Sequence, residues 1–178
     1  MQSLGIILFK SVGAGYSALN MAGRSFGLEI LEFAPLGESS QLLVLGEKKI
    51  TNKFIKELRI ESIERSLCLE NFDEKILRSY LSLENTKLQE FTLIVEARFS
   101  GDLFAAAVEL KKRGLSTIDF RVFRSVQSTG YLTMTGNDLD EAKTWIAEQR
   151  SQLSRQFRNI TLISNLSEGF RHFVDFES

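Results

Sequence analysis

The chain repeats itself, and the repeat constrains the fold more than any motif does. At an offset of 87 residues, Ala18 meets Ala105, Met21 meets Val108, and Gly27-Leu28 meet Gly114-Leu115. Leu31 meets Ile118, and Phe33 meets Phe120. With three more residues in the second copy, Leu42, Val44 and Gly46 meet Leu132, Met134 and Gly136. Near the two ends, Leu77, Arg78 and Tyr80 meet Phe170, Arg171 and Phe173. Few residues are identical, but the apolar spacing agrees along nearly the whole length. The 178 residues read as a tandem duplication, residues 1–86 and residues 87–178.

Each copy carries the same succession of patterns. Apolar runs at Leu4–Phe9 and Phe91–Val95 predict strands. A helical stretch follows each run, with Tyr16, Leu19, Ala22 and Gly23 at helical spacing in one copy and Phe104, Ala107, Val108 and Leu110 in the other. Gly27 and Gly114 stand where a helix ends in left-handed backbone. Strands are expected at Leu28–Phe33 and Leu115–Phe123, then polar turns, then returning strands at Leu42–Leu45 and Tyr131–Met134. A second helix presents Ile50, Phe54 and Leu58 on one face, and its counterpart presents Leu139, Ala142, Trp145 and Ile146. Last strands are expected at Ile63–Leu69 and Ile160–Leu166. The unit is β-α-β-β-α-β, ferredoxin-like. It is an antiparallel sheet with both helices on one face, which makes the fold class α+β.

Composition excludes several functions. Up to Thr86 there are 10 basic and 11 acidic residues, and beyond it 12 of each, so neither copy has the basic surplus of a nucleic-acid binder. One cysteine, Cys68, permits no internal disulfide and fits a reducing compartment. One histidine beside one cysteine argues against a His/Cys metal site, and no cofactor is expected. No apolar run approaches the roughly 20 residues of a membrane-spanning helix, and the first residues lack the pattern of a signal peptide. The chain is therefore expected in the cytoplasm.

Candidate chemistry is sparse. Gly13, Gly15 and Ala18 fit the spacing of a dinucleotide fingerprint, with Glu32 placed where a ribose-binding acid would lie. The three residues Lys10, Ser11 and Val12 separate the strand from the first glycine, and the second copy does not keep the motif. A nucleophilic serine needs a base, and the one histidine, His172, sits among Phe170, Phe173 and Val174, where packing is the plainer role. No paired carboxylates or catalytic constellation stand out, and no enzymatic activity is expected.

The order of pieces resembles the bacterial microcompartment shell domain, here in tandem. The likeness rests on the strand Leu4–Phe9 ahead of a glycine-containing helix start and on the Ala-rich first helices, Ala18–Ala22 and Ala105–Ala107. It rests also on the strand pair around Gly37–Ser40, and on Gly46-Glu47 and Gly136-Asn137-Asp138 before the second helix. This resemblance implies a non-enzymatic shell-type protein, a pseudo-hexameric homotrimer whose partners are copies of itself and other shell proteins. It implies that Gly37, Glu38, Ser39, Ser40, Gln127, Ser128, Thr129 and Gly130 line a small central pore open to polar metabolites. It also implies that Arg24 and Lys111 sit at edges between neighbouring rings; the plainer reading makes both solvated cations near helix ends. Two alternatives remain open: a tandem ferredoxin-like regulatory protein that binds a small molecule, and a nucleotide-dependent enzyme using Gly13–Ala18.

Overall fold

The computed structural model describes residues 2–70, 74–81, 86–121, 129–149 and 156–174. It contains two four-stranded sheets. The first is built from β1 (Gln2–Phe9), β2 (Glu29–Leu36), β3 (Ser39–Glu47) and β4 (Ile63–Glu70), in the order β2-β3-β1-β4. Every neighbouring pair is antiparallel. Helices α1 (Val12–Phe26) and α2 (Lys48–Glu57) lie on one face. Ala18 and Ala22 of α1 and Phe54 of α2 pack with Leu58 on Ile7, Phe9, Leu42 and Val44. The side chains of opposite parity, Leu4, Ile6 and Leu43, are also fully buried. This is why β1 reads as an unbroken apolar run rather than an alternating one.

Local chemistry sets the ends of α1. Ser11 is extended, and its hydroxyl accepts from the Ala14 amide at 3.2 Å, an N-cap worth about 1 kcal/mol. Gly27 takes φ +60° at the other end, and the Leu28 amide bonds back to Ala22 at 3.1 Å.

The second sheet repeats this plan with β5 (Phe91–Ala97), β6 (Ser116–Arg121), β7 (Gly130–Gly136) and β8 (Asn159–Ser164), in the order β6-β7-β5-β8. Its helices include α4 (Ser100–Lys112), α5 (Leu139–Gln149) and the short α6 (Glu168–Val174). Even an irregularity recurs. Pairing slips between Ile30 and Glu32 in β2, and between Thr117 and Asp119 in β6. A bulge at the same place in both sheets is the mark of a duplicated unit rather than of two unrelated folds. The α+β class and the doubled antiparallel unit expected from the sequence are both present.

Helix α3 (Glu74–Tyr80) follows β4 in the chain but belongs to the compact unit of the second sheet. There Ile76, Leu77 and Ser79 are buried, and the Tyr80 ring lies 5.1 Å from Phe104 of α4 and 5.2 Å from Phe120 of β6.

Candidate functional site

The hairpin joining β2 to β3 holds the first set of residues singled out by sequence. Gly37 and Glu38 form its exposed two-residue turn, and Gly37 adopts φ +71°, which glycine accepts without steric cost. Ser39 donates to the Leu36 carbonyl at 3.1 Å. Ser40 is fully buried and donates to the Ser11 carbonyl at 3.0 Å, fastening β3 to the entry of α1. The solvent-facing part of this loop is thus Gly37-Glu38, while the Ser40 hydroxyl serves the fold.

In the second copy, Gln127 and Ser128 lie outside the described residues. Thr129 accepts from the Arg158 guanidinium at 2.8 Å, and Gly130 opens β7 opposite Ala97. Arg24 and Lys111 occupy the last turns of α1 and α4, Arg24 exposed and Lys111 half-buried.

Two polar clusters escaped the sequence reading. Arg113, just past α4, reaches Glu109 at 3.5 Å, Glu141 at 3.1 Å and also Glu148. Partial burial opposes its charge, but the surrounding carboxylates outweigh that and raise the pKa. On the β6–β7 pair, the Tyr131 hydroxyl donates to Asp119 at 2.8 Å, and Arg121 donates to the same carboxylate at 2.8 Å. Burial, then the hydrogen bond and charge of Asp119, push the Tyr131 phenol up to about 12. Only the Glu109–Arg113 pair at i,i+4 and the Asp119–Arg121 pair on one strand are local in sequence; Glu141, Glu148 and Tyr131 join from other elements.

The fingerprint reading of Gly13–Ala18 is overturned. Both glycines lie inside α1, and β1 has only antiparallel neighbours, so no parallel crossover forms a phosphate-binding crevice. Gly15 is instead a packing residue, since a Cβ there would lie 2.7 Å from the Phe33 ring. A Cβ on Gly13 would meet nothing within 4 Å. Cys68 is half-buried on β4. Burial raises its thiol pKa, Ser3 and Lys48 pull it down, and Glu70 adds to the rise, so the net direction disfavours thiolate. The side chain of His172 lies outside the described residues. Among the described residues no cluster of three His, Cys, Asp or Glu is placed to hold a metal, and no helix is long and apolar enough to cross a membrane.

No sequence family and no curated protein matches the chain. Its structure is similar to that of a microcompartments protein from Desulfitobacterium hafniense DCB, with a TM-score of 0.78 and 18% identity. The match covers 96% of this chain and 98% of that one. The chain has the fold of a microcompartment protein. Two other solved structures, the acetolactate synthase small subunit from Thermotoga maritima (12% identity) and a putative glycine cleavage system transcriptional repressor (13%), also align over most of their length. Their TM-scores are 0.31 and 0.35, well below that of the microcompartment fold.

Proposed function

We propose that this chain is a structural shell-type protein of a bacterial microcompartment, acting by assembly rather than by catalysis. The observation that carries the reading is the end-to-end match of both sheets, in tandem, to a microcompartment protein. In this reading residues 1–86 and 87–178 are the two shell repeats. Three chains close a ring with pseudo-sixfold symmetry, and the shell built from such rings stands in the cytoplasm around a metabolic compartment. The β2–β3 turn, with Gly37, Glu38 and Ser39, faces the ring axis together with the equivalent loop around Gln127, Ser128, Thr129 and Gly130. Glu38 repeated round that axis makes the opening unfavourable to anions and open to neutral or cationic polar metabolites. Arg24 and Lys111 lie at the outer edges, where neighbouring rings or other shell proteins adjoin.

The test is the mass in solution together with ligand response. Light scattering at micromolar concentration is expected to give about three times the 20.2 kDa of one chain, with no change in melting temperature on adding small polar metabolites. A monomer whose melting point rises with one such metabolite, by the equivalent of roughly 3 kcal/mol at a hundredfold excess over Kd, overturns the shell reading in favour of a regulatory binder.

A further inference from the structure

The second helices of the two sheets share a buried side and differ on the other. Thr51 and Phe54 of α2 are fully buried, as are Ala142 and Trp145 of α5, which sets the two helices in register. In that register Lys49, Asn52, Lys53 and Lys56 answer to Asp140, Lys143, Thr144 and Ala147. The four residues of α2 stand at i, i+3, i+4 and i+7, one stripe along the helix, and its three lysines are exposed. The fold does not demand this charge, because α5 holds the equivalent place with three carboxylates and one lysine.

Little within the chain neutralises the stripe. Lys48, beside it, pairs with Glu70 at 2.6 Å, and Lys53 pairs with Glu57 at 3.6 Å across one exposed turn. Among the described residues nothing pairs with Lys49 or Lys56. Lys48, Lys49, Asn52, Lys53 and Lys56 border an open groove of about 640 Å³. Seven residues separate Lys49 from Lys56, about 10 Å along the helix axis. Three residues past the helix stands Ile60, 82% exposed, the most exposed large apolar side chain among the described residues.

We propose that this face of α2 is a docking surface for a short acidic segment of another protein, an amphipathic helix with carboxylates one turn apart and an apolar residue that reaches Ile60. Charge complementarity selects this occupant. Carboxylates bound the stripe at both ends, Glu47 ahead of it and Glu57 and Glu61 behind. It therefore offers cations over two turns and not the continuous track that a nucleic-acid backbone follows. The acidic helix of a second copy, α5, is a poorer fit, because its acids are already engaged. Asp138 accepts from the Asp140 and Glu141 amides, Asp140 pairs with Lys143 at 3.2 Å, and Glu141 and Glu148 hold Arg113. One helix face buries less area than a stable complex needs, so the contact is weak, reversible and sensitive to salt. The surface stands on α2 alone, whether the chain is a ring or a monomer.

The test is fluorescence anisotropy of a labelled helical peptide, with glutamates one turn apart and one leucine, titrated with the full-length protein. Binding is expected at low salt, weaker at high salt, and absent for the same peptide with glutamine in place of glutamate. Lys49→Gln/Lys53→Gln/Lys56→Gln, all at exposed positions, is expected to keep its fold by circular dichroism and to weaken binding at least about tenfold. Ile60→Ser should weaken it severalfold. Lys10→Gln/Lys112→Gln/Lys143→Gln removes the same charge from exposed positions elsewhere and should change it little. Equal loss in the two triple variants overturns the proposal, since net charge alone then explains binding. So does failure of the glutamate peptide to bind, or tighter binding of a single-stranded DNA of the same charge, which would make the stripe a nucleic-acid contact.

Discussion

Replacing Gly15 by alanine tests whether that glycine serves packing. An added Cβ would sit 2.1 Å from the Ser40 hydroxyl, 2.7 Å from the Phe33 ring and 3.0 Å from the Ser40 Cβ. The hydroxyl cannot turn aside without leaving the Ser11 carbonyl, a hydrogen bond worth about 1 kcal/mol. Alanine returns about 1 kcal/mol of helix propensity, which roughly offsets that loss. The overpacking against the Phe33 ring and the Ser40 Cβ remains, about 1–3 kcal/mol destabilising. In a chain of this length that lowers Tm by roughly 2–10 °C. Gly13→Ala, two residues earlier with open space around it, is expected to be neutral or to stabilise by up to about 1 kcal/mol. Thermal and urea unfolding of both variants, with Gly15→Ala/Ser40→Gly as partial rescue, measures the contrast. A Gly15→Ala protein as stable as its parent would refute the packing argument.

Other expectations are shorter. Spectrophotometric titration should show one of the three tyrosines ionising near pH 12, and Tyr131→Phe should remove that step. Because the folded pKa lies above the unfolded value of 10.0, this phenol's contribution to stability is complete below pH 10 and is lost as pH rises toward 12. The alkaline loss of stability should therefore shrink in Tyr131→Phe. Arg113→Met should cost about 1 kcal/mol in urea unfolding at low salt and less at high salt, since the guanidinium is 23% exposed and joins α4 to α5 through carboxylates. Arg24→Ala/Lys111→Ala should leave Tm nearly unchanged while abolishing flat sheets or tubes seen by electron microscopy; sheets that persist remove the edge role.

Elements were legible wherever a local pattern dictated them. The unbroken apolar run of β1 marks a strand buried on both faces, and Gly27 and Gly114 mark helix ends, each with positive φ. The doubling was legible because Phe33 and Phe120 answer to the same position in the same bulged strand. Tyr16 was harder to read. Helical spacing groups it with Leu19 and Ala22 on the apolar stripe, yet it is exposed, because whether a stripe is covered depends on a helix from elsewhere in the chain. Placement of α3 was equally hidden: its apolar residues announce burial but not which sheet they meet. Arg113 draws its partners from two helices: the i,i+4 spacing announces Glu109, but no spacing rule brings in Glu141 and Glu148 of α5. In the β2–β3 hairpin, the sequence could not tell that the Ser40 hydroxyl donates to the Ser11 carbonyl.

A cryo-electron microscopy image of the assembled protein at a resolution that separates helices tests the central claim most directly. The account predicts a threefold ring in which every chain contributes two similar lobes, with the Gly37-Glu38 turns around the axis and Arg24 and Lys111 on the perimeter. A dispersed monomer, or a ring with the Gly37-Glu38 turns on its outer rim, would contradict it.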